Sequence, residues 1–172
     1  MLDAKTGAYK NHFKLVPKDW HDWDVSTAPA LIQTKGGKKL LSVAPKDGRL
    51  YGFDLATNTM LYRTPTTRIE NADAPFAIDK AVHFCPGSVG GAEWNGPAYD
   101  PQTNFILIGE VEWCTTVSLQ NDKQIQAVKL GKPWSGDATL NPYNTAAAAW
   151  PLRAIHLTLQ DMMPHILDRR SD

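Results

Sequence analysis

The sequence predicts an all-β fold of the repeat type, with a helical C-terminal tail. Three observations carry this prediction. Short β-rich runs alternate with tight turns over most of the chain. A pentapeptide of the form D-x-x-T-[GN] recurs at spacings of 51 and 46 residues. Glycine then stops: all twelve lie at or before Gly136, so the chain reads as two compositional pieces, 1–139 and 140–172.

The elements of the first piece follow in order. Ala30-Leu31-Ile32-Gln33-Thr34 is a short apolar run ended by Lys35-Gly36-Gly37-Lys38, and Lys39-Leu40-Leu41-Ser42-Val43-Ala44 reads as the next strand. Pro45-Lys46-Asp47-Gly48 is a tight turn, since Pro presets its φ and Gly accepts a positive one. Arg49-Leu50-Tyr51-Gly52-Phe53-Asp54 returns, and Thr59-Met60-Leu61-Tyr62-Arg63-Thr64 follows. Residues 68–101, rich in Gly, Pro and aromatics, are expected to wind over a surface. Phe105-Ile106-Leu107-Ile108-Gly109, Cys114-Thr115-Thr116-Val117-Ser118-Leu119 and Gln124-Ile125-Gln126-Ala127-Val128 are again β-rich. The repeat itself, at Asp3-Ala4-Lys5-Thr6-Gly7, Asp54-Leu55-Ala56-Thr57-Asn58 and Asp100-Pro101-Gln102-Thr103-Asn104, is turn chemistry. Periods of about 40–50 residues suggest four-stranded propeller blades. In the second piece, Leu152, Ile155, His156 and Leu159 have helical spacing, as do Met162, Met163, Ile166 and Leu167.

Composition narrows the function classes. Lys+Arg and Asp+Glu are 18 each, so net charge gives no case for a nucleic-acid partner. No apolar run reaches the roughly 20 residues of a membrane helix. Met1 is followed at once by turn chemistry, so no signal peptide is expected at the start. The separation of Cys85 and Cys114 leaves a disulfide and two buried thiols equally open, and no zinc spacing is present. Trp20, Trp134 and Trp150 are read as packing residues, and His21 as a solvated loop side chain.

Four segments point further: Leu2-Asp3-Ala4-Lys5-Thr6-Gly7, Trp20-His21-Asp22-Trp23-Asp24, Pro45-Lys46-Asp47-Gly48-Arg49-Leu50-Tyr51, and Cys85-Pro86-Gly87-Ser88-Val89-Gly90-Gly91-Ala92-Glu93-Trp94-Asn95-Gly96-Pro97. Together and in this order they resemble the PQQ-dependent alcohol and methanol dehydrogenases, the quinoproteins, over about residues 1–137. The resemblance implies about three four-stranded blades of an eight-bladed propeller. It implies oxidation of a small alcohol to an aldehyde, with cytochrome c or a quinone as electron acceptor, PQQ and Ca²⁺ as cofactors, and a periplasmic location. In that family a Trp four residues after the repeat's Gly docks on the next blade; here Asn11 and Tyr62 hold those places.

The resemblance also assigns roles. Asp24 matches the carboxylate that takes the alcohol proton and binds the metal; Asp22 is a competing carboxylate nearby. Ser26, where lanthanide-type members carry a second Asp, points to the calcium type. Lys46 matches the cation that bonds the quinone oxygens, where charge builds on reduction. Trp94, Asn95, Glu112 and Trp113 resemble further cofactor contacts. The family's other metal ligands and its stacking Trp have no counterpart, so the chain is expected to be inactive alone and to need the remaining propeller blades. The alternatives are a non-enzymatic repeat module that binds another protein, or a truncated or frame-shifted product, to which the glycine-free tail points.

Overall fold

The structure, a computed structural model, describes residues 1–134, 136–138 and the strand Leu152–Thr158. β1 (Ala30–Gln33), β2 (Lys39–Val43), β3 (Arg49–Asp54) and β4 (Thr59–Pro65) form a four-stranded antiparallel sheet in chain order. That meander is what one propeller blade requires. β5 (Val82–Phe84) pairs with β8 (Thr115–Val117). β6 (Ala98–Asp100), β7 (Phe105–Val111) and β9 (Leu152–Thr158) make a three-stranded sheet. The all-β partial propeller is thus the architecture observed, with one short helix, α1 (Asp122–Gln126), among the described residues.

The four-stranded sheet is buried on both faces, because its side chains alternate. Leu40, Ala44, Leu50 and Tyr62 face one way and pack with Ala92, Ile106 and Ile108, the last two from β7. Val43, Tyr51 and Phe53 face the other way and pack against Phe13 and Leu15 from the segment before β1. A blade sandwiched between its neighbours has this pattern. Tyr62 joins the cluster shared with β7. Its ring lies over Gly52, where an added Cβ would come within 2.0 Å of it.

The repeat is a hairpin turn at all three places. Asp3 Oδ1 accepts the N–H groups of Lys5 and Thr6, Asp54 Oδ1 those of Ala56 and Thr57, and Asp100 Oδ1 that of Gln102. The N–H of the fifth residue returns to the Asp carbonyl each time, at 2.8, 2.9 and 2.8 Å. Those fifth residues, Gly7, Asn58 and Asn104, take φ of 70°, 55° and 64°. Only residues that tolerate the left-handed region fit there, which explains the Gly/Asn restriction. Lys10 at Asp3, the Ala56 N–H at Asp54 and the Thr103 hydroxyl at Asp100 lead the bonds that hold all three carboxyls below the usual range, Asp3 at about 2.

Several expectations change. Gln124–Val128 reads as β-rich, yet Asp122–Gln126 is helical, because Asn121 and Gln124 form a capping box that satisfies the first free N–H groups. The helical spacing over Leu152, Ile155 and His156 gives way to β9, paired with all of β7. Ile155-His156-Leu157-Thr158 also alternates apolar and polar, and pairing satisfies a row of backbone groups along β7. Leu159 and the rest of the tail, with Trp150, lie outside the described residues. His21 is fully buried, stacked on Trp23 at 4.2 Å between ring centroids. Burial pulls its pKa down, against the pull of Asp19 and Asp73. Trp20 and Trp134 are exposed rather than packed. Cys85 and Cys114 form a disulfide with a Cα–Cα distance of 4.4 Å, next to the ends of β5 and β8.

Candidate active site

Three segments meet at Lys46. The first is the loop 19–24. Asp19 accepts the N–H groups of His21 and Trp23 at 2.8 Å each, and this local turn lifts Asp22 to a positive φ of 66°. Trp23 is buried beside Phe84, and its ring N–H donates to the Gly87 carbonyl at 3.2 Å. The alternation of buried Trp23 with exposed Asp22 and Asp24 turns both carboxylates outward.

The second segment is the turn 45–48, and the third is the loop 87–93. The Lys46 N–H donates to the Asp24 carbonyl at 3.2 Å, and its carbonyl accepts from Gly91 N–H at 2.9 Å. Gly90, at φ 87°, lets the loop close onto the lysine stem: a Cβ there would lie 2.4 Å from Lys46 Cβ. Trp113 braces this loop from behind, its ring N–H donating to the Gly90 carbonyl at 2.9 Å. Ser26 Oγ donates to the Glu93 carbonyl, tying the first segment to the third.

Lys46 is 7% exposed, and its ammonium faces three carboxylates. Nζ lies 2.8 Å from Asp24 Oδ1, 3.5 Å from Asp22 Oδ2 and 3.6 Å from Glu93 Oε1. Burial alone would lower its pKa; the hydrogen bond to Asp24 and the charges of Asp22, Asp24 and Glu93 outweigh burial and raise it above the ordinary value. Lys46 is therefore a fixed cation at neutral pH, presented by a backbone bonded on both sides. The acidic side chains it meets are more exposed than it is: 59% for Asp24, 83% for Asp22 and 21% for Glu93.

The structure therefore brings Asp24 and Lys46 together. Trp94 adjoins Glu93 with its ring 81% exposed. Asn95 donates its side-chain N–H to the Gly109 carbonyl, and Glu112 Oε1 accepts the Arg68 N–H at 2.9 Å. Trp113 is buried. The sequence alone does not single out Glu93; only the fold places it on Lys46. An apolar groove of about 300 Å³ lies elsewhere, between Phe13, Leu41 and Phe53.

Comparison with known proteins extends this picture. Residues 1–75 match the family model of the glucose/ethanol/alcohol dehydrogenase β-propeller domain, PQQ. The chain is 27% identical over 140 residues to lupanine 17-hydroxylase [cytochrome c] of Pseudomonas sp., covering 70% of this chain and 20% of that protein. It is 27% identical over 164 residues to quinohemoprotein alcohol dehydrogenase of Comamonas testosteroni, covering 84% of this chain and 22% of that one. Polyvinylalcohol dehydrogenase of a Sphingopyxis species is 32% identical over 81 residues, covering 47% of this chain and 12% of that one. Among solved structures, a quinohemoprotein alcohol dehydrogenase of Pseudomonas putida superposes with a TM-score of 0.60 at 21% identity, covering 70% of this chain and 20% of that one. A europium-containing methanol dehydrogenase superposes at 0.55 and 20% identity, covering 69% of this chain and 23% of that one. The chain spans about a fifth of the length of the first two curated relatives. Over that part, in sequence and in fold, it is matched at family level to the β-propeller of the PQQ-dependent alcohol dehydrogenases.

Proposed function

We propose that Asp24 and Lys46 are the base and the quinone-oxygen contact of a PQQ-dependent alcohol-oxidising site, and that this chain supplies one wall of it. The observation that carries the reading is the 2.8 Å contact between two residues 22 positions apart.

The residues present fit a quinone's reacting edge. Lys46 is a buried, fixed cation whose ammonium can donate to quinone oxygens where negative charge builds. Asp24 is an exposed carboxylate whose Oδ1 is held by Lys46, and Oδ2 has no hydrogen bond among the described residues. That free oxygen is available to accept an alcohol proton or to ligate a hard cation such as Ca²⁺. When bound, PQQ supplies the hydride-accepting carbonyl and Ca²⁺ polarises it. Lys46 orients Asp24, and the backbone bonds at Lys46 fix the distance between base and cation. Trp94 offers an open ring face to a flat cofactor. Asn95, Glu112 and Trp113 serve the same site by holding its loops.

The remaining walls, with the other metal ligands, come from further blades in this or another chain. The substrate class is a small alcohol, and the electrons pass to cytochrome c or a quinone. The Cys85–Cys114 disulfide supports an oxidising compartment such as the periplasm. No helix among the described residues is long and apolar enough to cross a membrane.

The test is isothermal titration of the full chain with PQQ in Ca²⁺ buffer. Saturable binding that weakens at least about tenfold in Lys46→Ala, equivalent to about 1.4 kcal/mol, is the expected result. Equal affinity in parent and variant, or no binding in the parent, contradicts the reading.

A further inference from the structure

Glu110 lies on β7, is fully buried, and has no part in the Lys46 cluster. Its Oε1 is 2.7 Å from Thr66 Oγ1, and its Oε2 has no hydrogen-bond partner among the described residues. Charged residues occur on the neighbouring segments. Asp47, fully buried in the turn 45–48, and Glu112, just past the end of β7, both oppose a negative charge there. Arg49, at the start of β3, is committed to Asp47 at 3.1 Å. Arg153 of β9 is the register partner of Glu110.

An ionised carboxylate in this position would have one hydrogen bond, one bare oxygen and two like charges nearby. Buried carboxylates persist as anions only when paired or bonded several times. A neutral acid needs one acceptor for its proton, and Thr66 Oγ1 can be that acceptor. The Thr66 hydroxyl then donates its own hydrogen bond to the Gly48 carbonyl, 3.0 Å away. Gly48 closes the turn that carries Lys46, and its carbonyl also receives the N–H groups of Thr66 and Thr67 at 2.9 and 3.2 Å. A line of bonds therefore runs from β7 through the end of β4 to the back of the Lys46 turn.

We propose that Glu110 is carried as a neutral acid that donates to Thr66 Oγ1, and that it is a positioning residue for the turn presenting Lys46. Desolvation pushes its pKa up, the Thr66 bond opposes this, and Asp47 and Glu112 reinforce the rise, to about 7. Above that pH the acid loses the proton it donates, and a carboxylate is left facing Asp47. The Lys46 turn then responds to pH through a group that touches no ligand. This goes beyond the PQQ reading and does not depend on it.

The test is a pH titration of the full chain by NMR without any cofactor. The glutamates are Glu70, Glu93, Glu110 and Glu112, so ¹³C-labelled glutamate gives a readable set. The Glu110 carboxyl is expected to titrate with a midpoint near 7 instead of the ordinary value of about 4.3. The amide shifts of Lys46 and Gly48 are expected to move with the same midpoint and to lose that movement in Glu110→Gln. If the variant does not fold, through-bond correlations in the parent still assign Glu110, and the shared midpoint still decides. A Glu110 midpoint at or below the ordinary range, as pairing with Arg153 would give, overturns the proposal. So do Lys46 and Gly48 amides that ignore the Glu110 titration.

Discussion

Lys46 explains most of the site at the residue scale. A lysine in a tight turn is ordinarily a solvated point charge. Here its stem is covered by a loop that can approach only because position 90 is glycine, and its head is held by Asp24, Asp22 and Glu93. Gly90→Ala places a Cβ against the lysine stem at a positive φ that alanine resists. Overpacking and backbone strain together are expected to cost about 2–4 kcal/mol. Urea unfolding of parent and variant measures this loss. A change within about 0.5 kcal/mol would show that the loop does not press on Lys46.

The repeat does its work at the element scale. Each D-x-x-T-[GN] turn is closed by an Asp side chain that caps its own backbone. Asp54 does this for the β3–β4 hairpin and also pairs with Lys38 at 3.2 Å. Asp54→Ala is expected to cost about 1–2 kcal/mol at neutral pH. The Ala56 N–H bond and Lys38 depress the Asp54 pKa, against burial, so this contribution is present above the unfolded value and is lost as pH falls through the folded one. Thermal melts of parent and variant should therefore differ at pH 7 and converge in acid, below about pH 4. These turns, and β1 to β4, were legible because local chemistry alone specifies them. β5 and β6 were not: three residues each, they exist through pairing with distant strands. The helix at Asp122–Gln126 turned on a capping box that a strand reading of 124–128 overlooks. The same limit applies to the site. Asp24 and Lys46 could be matched by motif, but Glu93 and Glu110 acquire meaning only when loop 87–93 and β7 close on the turn 45–48.

At the scale of the whole molecule, the sheet β1–β4 is packed on both faces as a blade is, and the chain covers about a fifth of the first two curated relatives. In the function proposed above, the turn and loops around this blade build one PQQ-contacting cation, Lys46, beside one base, Asp24. The most direct measurement follows the ¹³Cε resonance of Lys46 while PQQ is titrated into the full chain. A saturable shift is expected at Lys46, with Lys5 and Lys10, on the first hairpin, unmoved. A Lys46 resonance that stays in place while PQQ saturates the chain, or that moves no more than those lysines, would contradict it.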